Sequence, residues 1–211
     1  MRKPATLVLL FGAAVASAQL PEVTPTVKVG FNLPVPVGSD LFQDITETLG
    51  QIDACAQLPL WKGLGVGAGY SGTWFYLEER ALSPTVIRGD VMRSTWYGKL
   101  QYEHYAGPNG FYEFAFKAGG STINWDTENC PDVKRQSAFH WGLYASYYLH
   151  ATDALAFGLT LGYEADPSAA LTPDLLCLED FTGRTTMEEP DPYRFFVLGL
   201  GFSTRLKWGR E

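Results

Sequence analysis

Beyond residue 23 the sequence repeatedly alternates large apolar with small or polar side chains at a period of two, in segments broken by Gly, Pro, Asn and Asp. That period belongs to extended strands, whose successive side chains point to opposite faces. The clearest segment runs from Leu64 to Leu77, with Leu64, Val66, Ala68, Tyr70, Trp74 and Tyr76 on one face and Gly65, Gly67, Gly69, Ser71, Thr73 and Phe75 on the other. Residues 27–33, 52–60, 92–102, 112–119, 139–149, 155–164 and 196–208 read the same way, which makes eight strands.

The connections alternate strictly between long and short. Residues 34–50, 78–89, 126–136 and 166–192 form long connections; 61–63, 107–110 and 150–153 form tight ones. If neighbouring strands are antiparallel, the four long loops leave one end of the sheet, and the three short turns and both termini lie at the other. In the turn Gly107-Pro108-Asn109-Gly110, Pro108 presets φ and Gly110 is expected to take the left-handed position. That register pairs Gly107 with Phe111, Tyr105 with Glu113 and Gln101 with Lys117, and so sets Glu103 diagonal to Lys117 for an internal ion pair.

An even number of long antiparallel strands with one aromatic-rich apolar face predicts an all-β fold, an eight-stranded antiparallel up-and-down transmembrane β-barrel. Lipid offers no partner to an open strand edge, so such a sheet must close. The composition fits: 14% of residues are aromatic, yet the mean hydropathy is −0.06, because an apolar face and a small polar face average out. Rings gather at strand ends, as interfacial girdles do: Trp74, Tyr76, Trp141, Tyr163 and Phe196 towards the long loops, Tyr102, Tyr112, Tyr147 and Trp208 towards the short turns. Inward glycines, among them Gly65, Gly67, Gly69, Gly158 and Gly162, leave room in a narrow bore.

Residues 1–18 read as a signal peptide: Arg2 and Lys3, an uncharged apolar stretch over residues 5–15, then Ala16-Ser17-Ala18. The barrel is expected to occupy 19–211. Without Arg2 and Lys3 the 16 basic residues fall to 14 against 23 acidic ones, a formal charge of −9 that argues against nucleic acid as a partner. Of three cysteines, Cys130 and Cys177 fall in long loops at one end and are candidates for a disulfide, with Cys55 inside the barrel. Three unpaired thiols are the alternative, since sequence does not fix pairing.

The mature chain resembles the small outer-membrane β-barrel proteins, the eight-stranded class typified by the OmpA transmembrane domain, OmpX and OmpW. The resemblance rests on Ala16-Ser17-Ala18, on four long loops with three short turns, and on the closing strand Leu198-Gly-Leu-Gly-Phe-Ser-Thr-Arg-Leu-Lys-Trp208. That strand is similar to the signal read by the barrel-assembly machinery, although Gly209-Arg210-Glu211 follow the aromatic. The resemblance implies export to the bacterial outer membrane, with outer-membrane lipid and the barrel-assembly machinery as partners.

Candidate site residues are the polar side chains of the inward face: Arg93, Lys99, Glu103, Glu113, Lys117, His140, Glu164 and Arg205. Buried charges must be paired and eight strands leave little bore, so a charge network plugging the lumen is favoured over a gated pore or proton path. No catalytic, cofactor-binding or metal site is expected. Gly67-Ala-Gly69-Tyr-Ser-Gly72 matches a dinucleotide-binding pattern but lies within a strand with no helix after it. His140, with Ser137 on the opposite face, lacks the partner that lipid A chemistry needs. Glu179, Asp180, Glu188, Glu189 and Asp191 make the last loop acidic without the spacing of a cation loop. The expected role is therefore structural, adhesive or surface-contacting, through loops that meet surface polysaccharide or envelope proteins. A narrow channel for small apolar solutes, an exported lipocalin-like binding barrel and a lipid A-modifying enzyme are the alternatives.

Overall fold

The structure is a computed structural model that describes residues 24–107, 109–181 and 191–206. The expected signal peptide, Pro108, Glu188, Glu189 and Trp208 lie outside the described residues. Eight antiparallel strands close into one barrel in sequence order: β1 (Thr26–Pro36), β2 (Thr46–Trp61), β3 (Leu64–Leu77), β4 (Gly89–Tyr105), β5 (Gly110–Thr127), β6 (Lys134–His150), β7 (Leu155–Ala170) and β8 (Pro192–Arg205). The first long connection carries a short helix, α1 (Asp40–Ile45), which Ser39 caps by accepting from the Phe42 N–H. The last carries a 3-10 turn, Pro173–Leu176.

The faces are those the alternation gives. Trp96, Leu100, Phe114, Phe139, Leu159 and Leu200 are exposed on the outside, while Lys99, Glu113, Lys117 and Glu164 are buried within. The exterior is apolar and the interior charged, the reverse of a water-soluble lipocalin-like barrel, which that reading does not survive. Outward aromatics pair at both levels, Trp141 with Tyr163 towards the long loops and Tyr112 with Tyr147 towards the short turns.

The strands are longer than the alternation suggests. β5 runs 18 residues, whereas about 9–11 suffice to cross a bilayer. Both ends of the expected loop 126–136 are strand, as is Asp166, because the ladders continue past the membrane-length segment towards the long loops. There the inward face turns apolar: Phe75, Val91, Ile123, Trp125, Tyr193 and Phe195 are buried, and the loops fold over them with Phe42, Ile45, Leu82, Ile87, Leu175 and Leu176. Phe42 is the stopper of this cap, its ring within contact of Phe75, Trp125, Tyr193 and Phe195. A bond between the sulfurs of Cys130 and Cys177, with Cα atoms 5.4 Å apart, ties two of the loops together, and Cys55 is a free thiol in the lumen.

One hairpin departs from the expected register. Tyr105 pairs with Phe111, Glu103 with Glu113, Gln101 with Ala115 and Lys99 with Lys117. The Ala106 N–H donates to the Gly110 carbonyl, and Gly107 rather than Gly110 has positive φ, +89°. The slip is two residues, which keeps every side chain on its face while changing its partners.

The cross-link has a direct check. Denatured protein should titrate one thiol without reductant and three with it, and reduction should slow its migration on a denaturing gel. The variant Phe42→Ala should loosen the cap by about 3–5 kcal/mol, read as protease cleavage in the long loops while the barrel resists.

Candidate functional site

The lumen is the candidate site, and it is filled at three levels. Towards the long loops, Arg93 is fully buried and forks onto two carboxylates, Nη1 to Glu164 Oε2 at 2.6 Å and Nε to Asp166 Oδ2 at 2.7 Å. His140 Nδ1 lies 2.9 Å from both Asp166 Oδ1 and Arg93 Nη2. Glu164 also accepts from the Tyr144 hydroxyl and from Gln51 Nε2. The planar guanidinium satisfies both carboxylates and rests on the Phe195 ring, which closes the level against the apolar cap.

At mid-height, Asp53 accepts from Lys117 Nζ at 2.8 Å and from the Tyr97 hydroxyl at 2.8 Å. The Lys117 ammonium also sits over the rings of Tyr97 and Tyr144. Glycines make room for these tyrosines: a Cβ on Gly69 would lie 2.5 Å from the Tyr97 oxygen, and one on Gly162 2.5 Å from Tyr144 Cδ1. Towards the short turns, Lys28 Nζ bridges Glu103 and Glu113, while Lys99 Nζ reaches Glu113 at 2.8 Å and Gln57 Oε1 at 3.0 Å. Below them Phe111 stacks on Tyr148, with Tyr105 and His150 alongside, and Arg205 donates to the Tyr105 hydroxyl at 2.8 Å.

All eight residues singled out in the sequence thus face the lumen or its short-turn mouth, but they are not partnered as expected. Glu103 pairs with Lys28 and Lys117 with Asp53, so the Glu103–Lys117 pair does not form. The slipped register sets Lys99 against Lys117 and Glu103 against Glu113, like charges opposite one another; Lys99 is neutralised by Glu113 of the adjacent strand, while Glu103, Glu113 and Lys117 also draw partners from across the bore. The partners that sequence reasoning passed over are Lys28, Asp53 and Asp166. Parity marks the first two, which share the inward face with Gly30 and Gln51; Asp166 was hidden by being placed in a loop.

The geometry also bears on chemistry. His140 is sealed in the Arg93 cluster beneath the cap, out of reach of outer-leaflet lipid, which removes the ground for lipid A chemistry at that residue. Among the described residues no group of three or more His, Cys, Asp or Glu side chains is placed to hold a metal ion.

Comparison with solved structures bears on the fold. The barrel is similar to Neisserial surface protein A, with a TM-score of 0.57 and 8% identity over 86% of this chain and 97% of that one. It is similar to Ail of Yersinia pestis, with a TM-score of 0.53 and 12% identity over 88% of this chain and 99% of that one. A third neighbour is the outer membrane protein OprG of Pseudomonas aeruginosa, with a TM-score of 0.52 and 13% identity over 88% of this chain and 98% of that one. The chain has the fold of the small eight-stranded outer-membrane barrel proteins. No protein-family profile and no curated protein matches the sequence. Within this barrel fold the chain carries cross-bore charge pairs and a loop-built cap.

A double-mutant cycle measures one of those pairs. Lys117→Met alone should lower the unfolding free energy by about 3–5 kcal/mol, because it strands a buried carboxylate. Adding Asp53→Leu should recover most of that loss, less the cost of the unpartnered Tyr97 hydroxyl, about 1–3 kcal/mol. Denaturant titration of detergent-folded protein, followed by gel mobility, reads both.

Proposed function

We propose that the chain is a non-enzymatic protein of the bacterial outer membrane that meets its surroundings through the loop-built cap, with the barrel as a non-conducting anchor. The observation that carries this reading is closure of the bore at every level: the apolar cap, the Arg93, Lys117 and Lys28 charge pairs, and the Phe111–Tyr148 stack. A channel for small solutes needs a path that these contacts occupy. A packed, disulfide-tied cap is instead a preformed surface, and rigid surfaces lose less entropy on binding.

Charge narrows the partner. Arg80 and Arg88 are the basic side chains of the described long loops, and Lys134, Arg135 and Arg194 those of the strand ends that wall the cap, against more numerous acids that include Asp40, Glu78, Glu128, Asp132, Asp174, Glu179, Asp180 and Asp191, and Arg88 is engaged by Glu79. Ail has been solved with the heparin analogue sucrose octasulfate. An acidic cap repels so anionic a ligand, so a basic face of an envelope protein suits this chain better than an anionic surface polysaccharide. The apolar belt takes outer-membrane lipid as its solvent, residues 1–18 direct export, and the C-terminal sequence 198–208 is the contact for the barrel-assembly machinery. The net charge leaves no role for nucleic acid.

Three measurements test this reading. In planar bilayers the purified protein should give no conductance steps above the protein-free baseline; stable steps would favour the channel. Lipid A from cells producing the chain should keep its mass. Nanodisc-embedded protein should bind basic envelope proteins with an affinity that falls as salt rises, and replacing residues 171–191 by a short turn should abolish binding while the barrel still folds. Equal binding by the loop-shortened variant would sink the proposal.

A further inference from the structure

The barrel wall has a seam. β1 and β2 pair only as far as Asn32 and Gln51, although β1 continues against β8 to Pro36 and β2 begins at Thr46. The cause is in the sequence. The Val37 N–H donates to Arg194 of β8, so at alternate positions the backbone of β1 points to β8, and the positions between, Pro34 and Pro36, point to β2. Proline has no N–H to give. The Pro34 carbonyl accepts instead from the Thr48 hydroxyl at 2.9 Å, a side chain standing in for a backbone donor. On the β2 side a bulge between Thr48 and Gly50 widens the gap.

Outside this seam runs a groove of about 700 Å³, walled by Phe31, Leu33, Leu49, Ile52, Trp74 and Leu198 with Leu159 and Leu200. The polar side chains on its floor are Asn32 and Gln51, and Asn32 Nδ2 donates to Gln51 Oε1 at 3.0 Å. The groove opens onto the apolar belt and reaches up to Trp74, a member of the girdle towards the long loops.

From this geometry we infer that the groove holds one acyl chain of an outer-leaflet lipid more firmly than the rest of the belt does. The inference rests on the outer face being lipid-facing. Three facts carry it: walls of aliphatic and aromatic side chains, a floor whose two polar side chains bond to each other, and continuity with the barrel–lipid interface just below an aromatic girdle. A chain lying in a groove meets protein on several sides, where a chain on a convex wall meets it on one, and dispersion gains scale with those contacts.

Quenching by brominated lipid tests it. Trp74 lines the groove; Trp141 belongs to the same girdle but lies outside it. The protein is reconstituted in phosphatidylcholine vesicles containing graded fractions of dibrominated-acyl phosphatidylcholine, and Trp74→Phe and Trp141→Phe isolate each contribution by difference. At low bromolipid fractions Trp74 should be quenched with a relative association constant about threefold or more above that of Trp141, and Leu33→Phe with Leu198→Phe, filling the groove, should remove the excess. Equal quenching of both rings in proportion to the bulk fraction would overturn the site while leaving the membrane barrel standing. Trp74 shielded at every fraction while Trp141 is quenched would assign the groove to a second copy of the chain, and overturn it too. Neither ring quenched would overturn the lipid-facing belt along with the site.

Discussion

Lys99 faces Lys117 and Glu103 faces Glu113 across the β4–β5 ladder, so charges directly opposite one another repel; Lys99 reaches along the wall to Glu113, and partners from the far wall neutralise the rest. Lys28 of β1 and Asp53 of β2 do so. In a bore this narrow no charge retreats to water, and an unpaired one costs several kcal/mol. The pairs therefore act as struts: they fix which strands stand opposite one another and hold the lumen shut. Tyr97, Tyr144 and Tyr148 fill what the struts leave, seated against inward glycines. Closure of the sheet and closure of the bore are thus imposed separately, the first by lipid and the second by charge.

Above the membrane-length segment the same strands change role. Their inward residues become Phe75, Val91, Ile123, Trp125 and Phe195, and the long loops bring Phe42, Ile45, Leu82, Leu175 and Leu176 down onto them. A barrel that is apolar outside and charged inside becomes, over its last residues, a small water-facing domain with an apolar inside. Arg93 sits at the boundary, its guanidinium bonded to carboxylates on the lumen side and stacked on Phe195 on the cap side. That arrangement explains why the strands outrun the bilayer: the surplus is the wall of the cap.

The faces were legible in the sequence because a period of two depends on backbone geometry alone. Partners were not, because sliding a strand by two residues leaves every face unchanged; the turn at 107–110 admits both registers, and the choice of Gly107 over Gly110 for the left-handed position moves Glu103 from beside Lys117 to opposite Glu113. Asp166 was lost for a related reason: Pro167 and Ser168 look like a loop start, yet β7 continues to Ala170 against β8. The cap was invisible because its loop residues are short apolar clusters without a period. Only the long-range meeting of Phe42 with Phe75, Trp125 and Tyr193 shows what they are for.

The two places where the wall gives up its ladder connect these layers. β1 leaves β2 beyond Asn32, where Pro34 and Pro36 have no donors, and β6 leaves β7 beyond Trp141 and Ala165, next to Pro167. Side chains bridge both gaps: Thr48 to the Pro34 carbonyl in the first, Ser168 accepting from the Phe139 N–H and Gln136 donating to the Ala170 carbonyl in the second. Each opening lies at the root of a loop that dips inward, α1 with Phe42 and Ile45 at one, the stretch bearing Leu171, Leu175 and Leu176 at the other. A fully paired ladder would carry these strands straight outward and hold the loops away from the bore. Prolines at the end of β1 and within β7 end pairing where the chain must turn over the mouth, and the bridging side chains bond the Pro34 and Ala170 carbonyls and the Phe139 N–H. The cap and the seams are therefore one device, and the acyl-chain groove is its consequence on the lipid side.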